Sequence, residues 1–249
     1  MSKRFNRIVI VGGSSAIAEH CARIWVAQGV EELVLLGRHL ERLERVAKDL
    51  ATRAPATRVV CMLGEFIDPS RIAETVEKLA ATGPIDLALV AHGSLPEQKQ
   101  CESALAECHD ALQINGVSPA LYAEGLAGAM DRAGRGTLVL LGSVAGDRGR
   151  RSNYVYGAAK GLLTRYAQGL QHRFAGTDIK VVLVKPGPTA TPMTAHLPAD
   201  RLARVEDVAE VIVKAAARGQ PLVYAPGKWK LIMWVVRHLP DAIFAKMNI

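Results

Sequence analysis

Short runs of β-branched and aliphatic residues alternate along this chain with stretches of helical periodicity. Positions 7–11, 32–36, 58–63, 86–90, 137–141, 181–184 and 222–224 read as strands, and 16–28, 39–53, 69–80, 104–130 and 200–217 as helices. A strand followed by a helix cannot turn straight back on its neighbour, so the connection crosses over and the next strand runs parallel. The alternation therefore predicts an α/β fold, one doubly wound parallel sheet with helices on both faces. A chain of 249 residues with 49% hydrophobic content can bury such a core as a single domain. That domain is expected to span residues 1–226, with 227–249 as a C-terminal extension and not a second domain.

Ligands of such sheets gather where the strands end, which directs attention to the residues that leave them. The first strand runs into Gly12-Gly13-Ser14-Ser15-Ala16-Ile17-Ala18 at the start of a helix. Glycines at a strand exit permit backbone conformations closed to other residues, and a helix N-terminus offers amides and a positive dipole end to a pyrophosphate. An ordinary turn rich in small residues would look the same. After the second strand comes Gly37-Arg38, where a site for NAD would place an acid on the ribose. A guanidinium there suits a 2′-phosphate, so NADPH is expected in preference to NADH, unless Arg38 merely opens the charged helix that follows.

Tyr156 and Lys160 stand four residues apart near a helix start, hence on one face. A phenol beside a cation and a helix N-terminus is expected to have its ionised form favoured, which would make it a proton donor and acceptor. A half-buried tyrosine and a solvated lysine are the plain alternative. Ser143 leaves the fifth strand thirteen positions earlier, at the same edge of the sheet. Arg148, Arg150 and Arg151 lie between them, either as a solvated loop or as a clamp for the phosphate of a substrate. The sixth strand ends in Lys185-Pro186-Gly187-Pro188-Thr189-Ala190-Thr191, a stiff polar loop suited to cover a nicotinamide carboxamide.

The formal net charge of +7 does not indicate nucleic acid, because aromatic residues are 5% of the chain and the basic residues are scattered. The cysteines at 21, 61, 101 and 108 lack metal-ligand or disulfide spacing and read as reduced thiols. The basic start, Met1 to Arg7, is followed by an apolar run too short for a signal peptide or a spanning helix, so a cytoplasmic protein is expected. The extension from Lys228 mixes tryptophans, large aliphatics and cations. It suits peripheral contact with a membrane, or packing on the core or on a second subunit.

Taken jointly, the glycine loop, Asn115, Ser143, Tyr156, Lys160 and Pro186-Gly187 resemble the short-chain dehydrogenase/reductases over residues 7 to about 225. The resemblance implies a single Rossmann domain with Asn115, Ser143, Tyr156 and Lys160 as the catalytic set, Asn115 having a structural bridging role as its alternative. It implies cofactor contacts from Gly12, Gly13, Ser14, Ser15, Ala16, Ile17, Arg38, Ala91, Gly93, Tyr156, Lys160, Pro186, Gly187, Thr189 and Thr191, and adenine contact from Glu65. The chain departs from the family at Ala16 and Ala18, which replace loop glycines, and at Val90-Ala91-His92-Gly93, which replaces Asn-Asn-Ala-Gly. Residues 146–157, 193–197 and 237–246 further resemble the decaprenylphosphoryl-2-keto-erythro-pentose reductases. That likeness implies a lipid-linked phosphosugar substrate, a flavin-dependent oxidase as partner, and attachment to the plasma membrane. A homo-oligomer is also expected. Reduction of another hydrophobic ketone, an acyl chain or a sterol, is the alternative within enzymes, and a non-catalytic dinucleotide-binding scaffold is the alternative outside them.

Overall fold

The computed structural model describes residues 5–247, so the extreme N-terminus of the basic start and the last two residues of the extension lie outside the described residues. The chain runs through β1 (Arg7–Val11), α1 (Ala16–Ala27), β2 (Glu32–Gly37), α2 (Leu40–Arg53), β3 (Arg58–Leu63) and α3 (Pro69–Ala81). Next come β4 (Leu87–Val90), two short helices α4 (Gln98–Ser103) and α5 (Leu105–Leu112), a π-helical turn at Gln113–Val117, and α6 (Ser118–Ala133). β5 (Gly136–Leu141), α7 (Tyr154–Arg173), β6 (Ile179–Pro186), α8 (Val205–Arg218) and β7 (Leu222–Ala225) complete the sheet. Two further helices, α9 (Lys228–His238) and α10 (Asp241–Phe244), follow it.

All seven strands are parallel, in the order β3-β2-β1-β4-β5-β6-β7. Successive residues of a strand point to opposite faces, and both faces of this sheet are buried. In β1, Ile8 and Ile10 pack with Trp25 of α1, Leu43 of α2 and Val208 of α8. Val9 and Val11 pack with Val76 of α3, Leu126 of α6 and Leu163 of α7. Winding changes direction between β1 and β4, which opens a crevice beyond their carboxyl ends.

Three elements differ from the sequence reading for identifiable reasons. The helix expected over 104–130 is interrupted by the π-helical turn around Asn115. Pro119, in the first turn of α6, has no N–H to bond the carbonyl of residue 115, so the α-helical ladder cannot run through unchanged. The helix expected from residue 200 starts at Val205, because Ala203 is held to the loop after β6: its N–H donates to Pro188 O at 2.9 Å and its carbonyl accepts from Ala190 N at 2.8 Å. β6 continues to Pro186, since Lys185 and Pro186 pair with Tyr224 and Ala225.

Beneath the loop that leaves β5, Lys185 of β6 forms an ion pair with Asp147, with side-chain exposures of 4% and 2%. The Tyr224 hydroxyl of β7 donates to the other Asp147 oxygen at 2.8 Å. These contacts fasten the loop to two strands. Lys185→Met leaves a buried carboxylate without its counter-charge and should lower unfolding free energy by about 3 kcal/mol or more. Urea titration checks this as a lower midpoint with an unchanged slope; an unaltered midpoint would show that the pair does not hold the loop.

Candidate active site

The turn after β1 is fixed from two sides. Gly12 and Gly13 both donate their N–H groups to Leu36 O, at 2.8 and 2.9 Å. Gly12 has φ +90°, and a Cβ there would fall 2.6 Å from the backbone nitrogen of His92, so only glycine fits between β1 and β4. Ser15 is the N-cap of α1 but makes no side-chain cap bond, which leaves first-turn amides to an anion. Ser14, Ser15, Ala16, Ile17, Ala91, Gly93 and Thr191 line a groove over this helix end with Gly12, and Arg38 and Arg42 stand along the same groove. Ala16 is tolerated because it only borders the groove; the close backbone approach is made at Gly12 and Gly13. First-turn amides of α1 and two guanidiniums thus share one groove, a charge pattern that fits a nicotinamide dinucleotide. Arg42 was hidden from sequence reasoning inside a charged helix.

Glu65 precedes Phe66, which lines the groove. Its Oε1 accepts from the N–H groups of Phe66 and Ile67, both at 2.8 Å, and these bonds shape the turn after β3 and hold the carboxyl below its ordinary range.

The groove continues into a cleft lined by Asn115, Ser143, Tyr156, Lys160, Pro186, Gly187 and Thr189. Two glycines bring its catalytic walls together. A Cβ on Gly146 would lie 2.7 Å from the Lys160 carbonyl, and one on Gly157 would lie 2.9 Å from Ala145 O, so the loop after β5 rests directly on α7. Ser143 is thereby set against Tyr156, with its Oγ accepting from Ala145 N at 3.1 Å. One helical turn further, Lys160 is only 4% exposed and donates from Nζ to Leu141 O at 3.2 Å.

Burial governs the titration of both groups. It pushes the Tyr156 phenol up to about 12, with the Ser143 hydroxyl acting in the opposite sense, and brings the Lys160 ammonium down to about 8. The Lys160 ammonium stands 5.7 Å from the Tyr156 ring centre. The expectation that lysine and helix dipole would ionise the phenol is therefore corrected: desolvation is the larger effect, and Tyr156 keeps its proton. A protonated phenol is suited to give a proton to a developing alkoxide.

Asn115 is fully buried in the π-helical turn. Its Oδ1 accepts from Ser94 N at 2.9 Å and its Nδ2 donates to Ala111 O at 2.9 Å. Gly93 passes close beside it, since a Cβ there would be 2.7 Å from Asn115 Oδ1 and 3.6 Å from Lys160 Nζ. Asn115 bridges backbone segments and stands next to the lysine.

The family model for short chain dehydrogenases matches residues 6–202. The chain belongs to this family. It is 33% identical to an uncharacterized oxidoreductase of Streptomyces coelicolor, across 96% of this chain and 95% of the other. An uncharacterized oxidoreductase of Mycobacterium tuberculosis is 31% identical across 96% of both chains. A cis-4-hydroxycyclohexanecarboxylate dehydrogenase of Sinomonas cyclohexanicum is 30% identical across 84% of this chain and 88% of its own. Among solved folds, a short chain dehydrogenase from Burkholderia cenocepacia in complex with NADP superposes over all of both chains with a TM-score of 0.83 at 16% identity. Levodione reductase superposes with a TM-score of 0.82 over 90% of this chain and 98% of its own, at 22% identity. The protein is thus a short-chain dehydrogenase/reductase, an oxidoreductase of alcohol and ketone groups.

Three further features shape the walls of the groove and cleft. His92 is wedged between Phe66 and Tyr122, at ring distances of 4.8 and 5.6 Å, and hydrogen-bonded through Nε2 to the Ser118 hydroxyl at 2.9 Å. Burial, with Lys160 and Arg38 nearby, drives it down to about 3, so it is a neutral wall. Arg150 and Asn153 border the cleft, and the buried Arg150 Nε and Asn153 Oδ1 have no hydrogen-bond partner. Trp229 of α9 also lines the cleft and lies against Gly187, where a Cβ would come within 1.9 Å of the indole nitrogen. A tryptophan in the extension and a glycine flanked by prolines were its only sequence signals.

The three arginines of the loop separate. Arg150 faces the cleft, and Arg151 is exposed outside it. Arg148 is corrected from phosphate clamp to structural tie: Nη1 donates to Val236 O and Leu239 O, each at 2.6 Å, Nη2 pairs with Asp241 at 2.7 Å, and the guanidinium covers the Phe244 ring at 3.8 Å. Its charge is spent on the turn between α9 and α10. Arg148→Ala should release that turn, raising amide hydrogen exchange across 236–244 by at least about tenfold, the equivalent of about 1.5 kcal/mol for lost charged hydrogen bonds. Exchange in β1 and β4 should not change; protection of 236–244 equal to that of the parent would contradict the assignment.

Proposed function

We propose that the protein is an NADPH-dependent ketone reductase whose substrate carries an anionic group near the carbonyl. The convergence of Ser143, Tyr156 and Lys160 on one cleft, with Arg150 Nε and Asn153 Oδ1 buried in its wall without a hydrogen-bond partner, is the observation that carries this reading. A nicotinamide cofactor in the adjoining groove would supply hydride. The α1 amides with Ser14 and Ser15 would hold its pyrophosphate, Arg38 with Arg42 would favour a 2′-phosphate, and Thr189 and Thr191, on the loop after β6, would hold its nicotinamide.

Ser143 donates a hydrogen bond to the substrate carbonyl oxygen and polarises it. Tyr156 gives its proton to the same oxygen as negative charge develops. Lys160, still charged at neutral pH, stabilises the phenolate left behind and is positioned by Leu141 O and the Asn115 turn. Arg150 pairs with the substrate anion, and the Asn153 carbonyl oxygen accepts from a substrate hydroxyl. The relative named for cis-4-hydroxycyclohexanecarboxylate, a ring alcohol with a carboxylate, supports an anionic ring ketone. A polyprenyl-phosphoryl 2-keto-pentose meets the same requirements of charge, hydroxyl and ketone, and is the finer substrate reading. Its ketone would be supplied by an oxidase acting on the corresponding alcohol, such as a flavin-dependent partner.

Kinetics with paired ketones test the anion site. Arg150→Ala should raise KM for 4-oxocyclohexanecarboxylate or the polyprenyl-phosphoryl keto-pentose by about thirtyfold, the loss of one charged hydrogen bond, and leave neutral cyclohexanone unaffected. An equal change for charged and neutral ketones would refute it. Arg38→Ala combined with Arg42→Ala should weaken NADPH by at least about tenfold and NADH little.

The pH profile follows from Lys160. A lysine whose folded value lies below its ordinary one is fully charged only below that value, so hydride transfer should be level below about 8 and fall as pH rises through it. Tyr156 keeps its proton across that range. Single-turnover NADPH oxidation reads the limb directly; a limb near 10 would mean that Lys160 does not set it.

A further inference from the structure

Helix α9 has two unlike faces. At 100° per residue, Trp229, Met233 and Val236 fall together, and these pack inward against Val144 and Tyr224, with Met233 1% exposed. Leu231, Trp234 and Val235 fall opposite and are 69%, 60% and 45% exposed. Ile243 of α10 is also exposed, at 53%. The outward apolar stripe is bordered by Lys228 on one side and by Lys230 and Arg237 on the other, all exposed. Between residues 226 and 247 there are four Lys or Arg and one acid, Asp241, which is taken by Arg148.

We propose that this face docks the protein on an anionic lipid surface. Large apolar side chains in a stripe between cations insert into the headgroup boundary while the cations remain with the phosphates. Helix α9 is too short to do more: among the described residues no helix is long and apolar enough to cross a membrane. The distribution of charge discriminates against a second copy of the chain as occupant. A twofold contact sets a patch against itself, and here it would place the cations of one copy among those of the other with no acid between them. Anionic lipid complements them.

Trp229, on the inward side of the same helix, is part of the cleft wall, so the docking face and the cleft share one helix. Arg148 ties the carbonyls at 236 and 239, which presents the helix as a fixed face of the body. The inference stands on this surface alone and is independent of which ketone is reduced.

Flotation of the full chain with phosphatidylcholine vesicles, with and without phosphatidylglycerol, tests it. The parent should float with the anionic vesicles, weakly with neutral ones, and less at high salt. Leu231→Glu combined with Trp234→Glu, both at exposed positions, should lower the partition by at least about tenfold. Its sedimentation coefficient and its turnover of a water-soluble ketone should equal those of the parent. Failure of the parent to float with anionic vesicles, or equal flotation with neutral ones, would overturn the proposal. So would a smaller sedimenting species in the double variant, which would assign the face to a second copy of the chain.

Discussion

An ammonium withdrawn from water is the constraint on which this site depends. Lys160 is 4% exposed, and the charge survives there only because the Leu141 carbonyl and the surrounding backbone dipoles partly replace hydration. To close over it, the loop after β5 must touch α7, which requires glycine at 146 and 157, and the chain after β4 must pass at Gly93. The same closure draws the hydroxyl of the half-buried Tyr156 away from water and keeps its proton. Catalytic readiness is thus a result of packing: a carbonyl that enters the cleft meets a serine donor and a neutral phenol with a weakly held lysine charge behind it.

The wall opposite is built from parts remote in sequence. Asp147, Lys185 and Tyr224 fasten the loop after β5 to the last two strands, and Arg148 fastens it to α9 and α10. The C-terminal helices are therefore continuous with the active-site loop, and Trp229 completes the cleft over Gly187. Loop, sheet edge and extension form one mechanical unit. That unit explains why the arginine-rich stretch has different fates at adjacent positions: the guanidinium at 148 points to the turn after α9, and the one at 150 to the cleft.

Much of the fold was legible because it follows from local pattern. The seven strands and their parallel order of connection are written in runs of Val, Ile and Leu separated by helical periods; the glycine loop and Ser143 lie at strand exits, and Tyr156 and Lys160 at the start of the helix that follows, where topology concentrates ligands. What was not legible depends on contacts between distant segments. The π-helical turn at Asn115 arises from a missing N–H at Pro119, four residues on. The role of Glu65 is set by two amides that only the folded turn presents, and that of Arg148 by carbonyls some ninety residues away. The titration of Tyr156 is hidden from the sequence for a related reason: spacing reveals a neighbouring charge but not the water that burial removes.

In the proposed reaction Tyr156 supplies the proton, and the rest of the constellation only prepares it. Removing the hydroxyl alone tests this most directly, since phenylalanine preserves the ring and its packing. With NADPH affinity followed by cofactor fluorescence and turnover by its oxidation in the presence of an anionic ring ketone, Tyr156→Phe should bind the cofactor as the parent does and lose turnover by about a hundredfold to ten-thousandfold. Parental turnover in that variant would contradict the account.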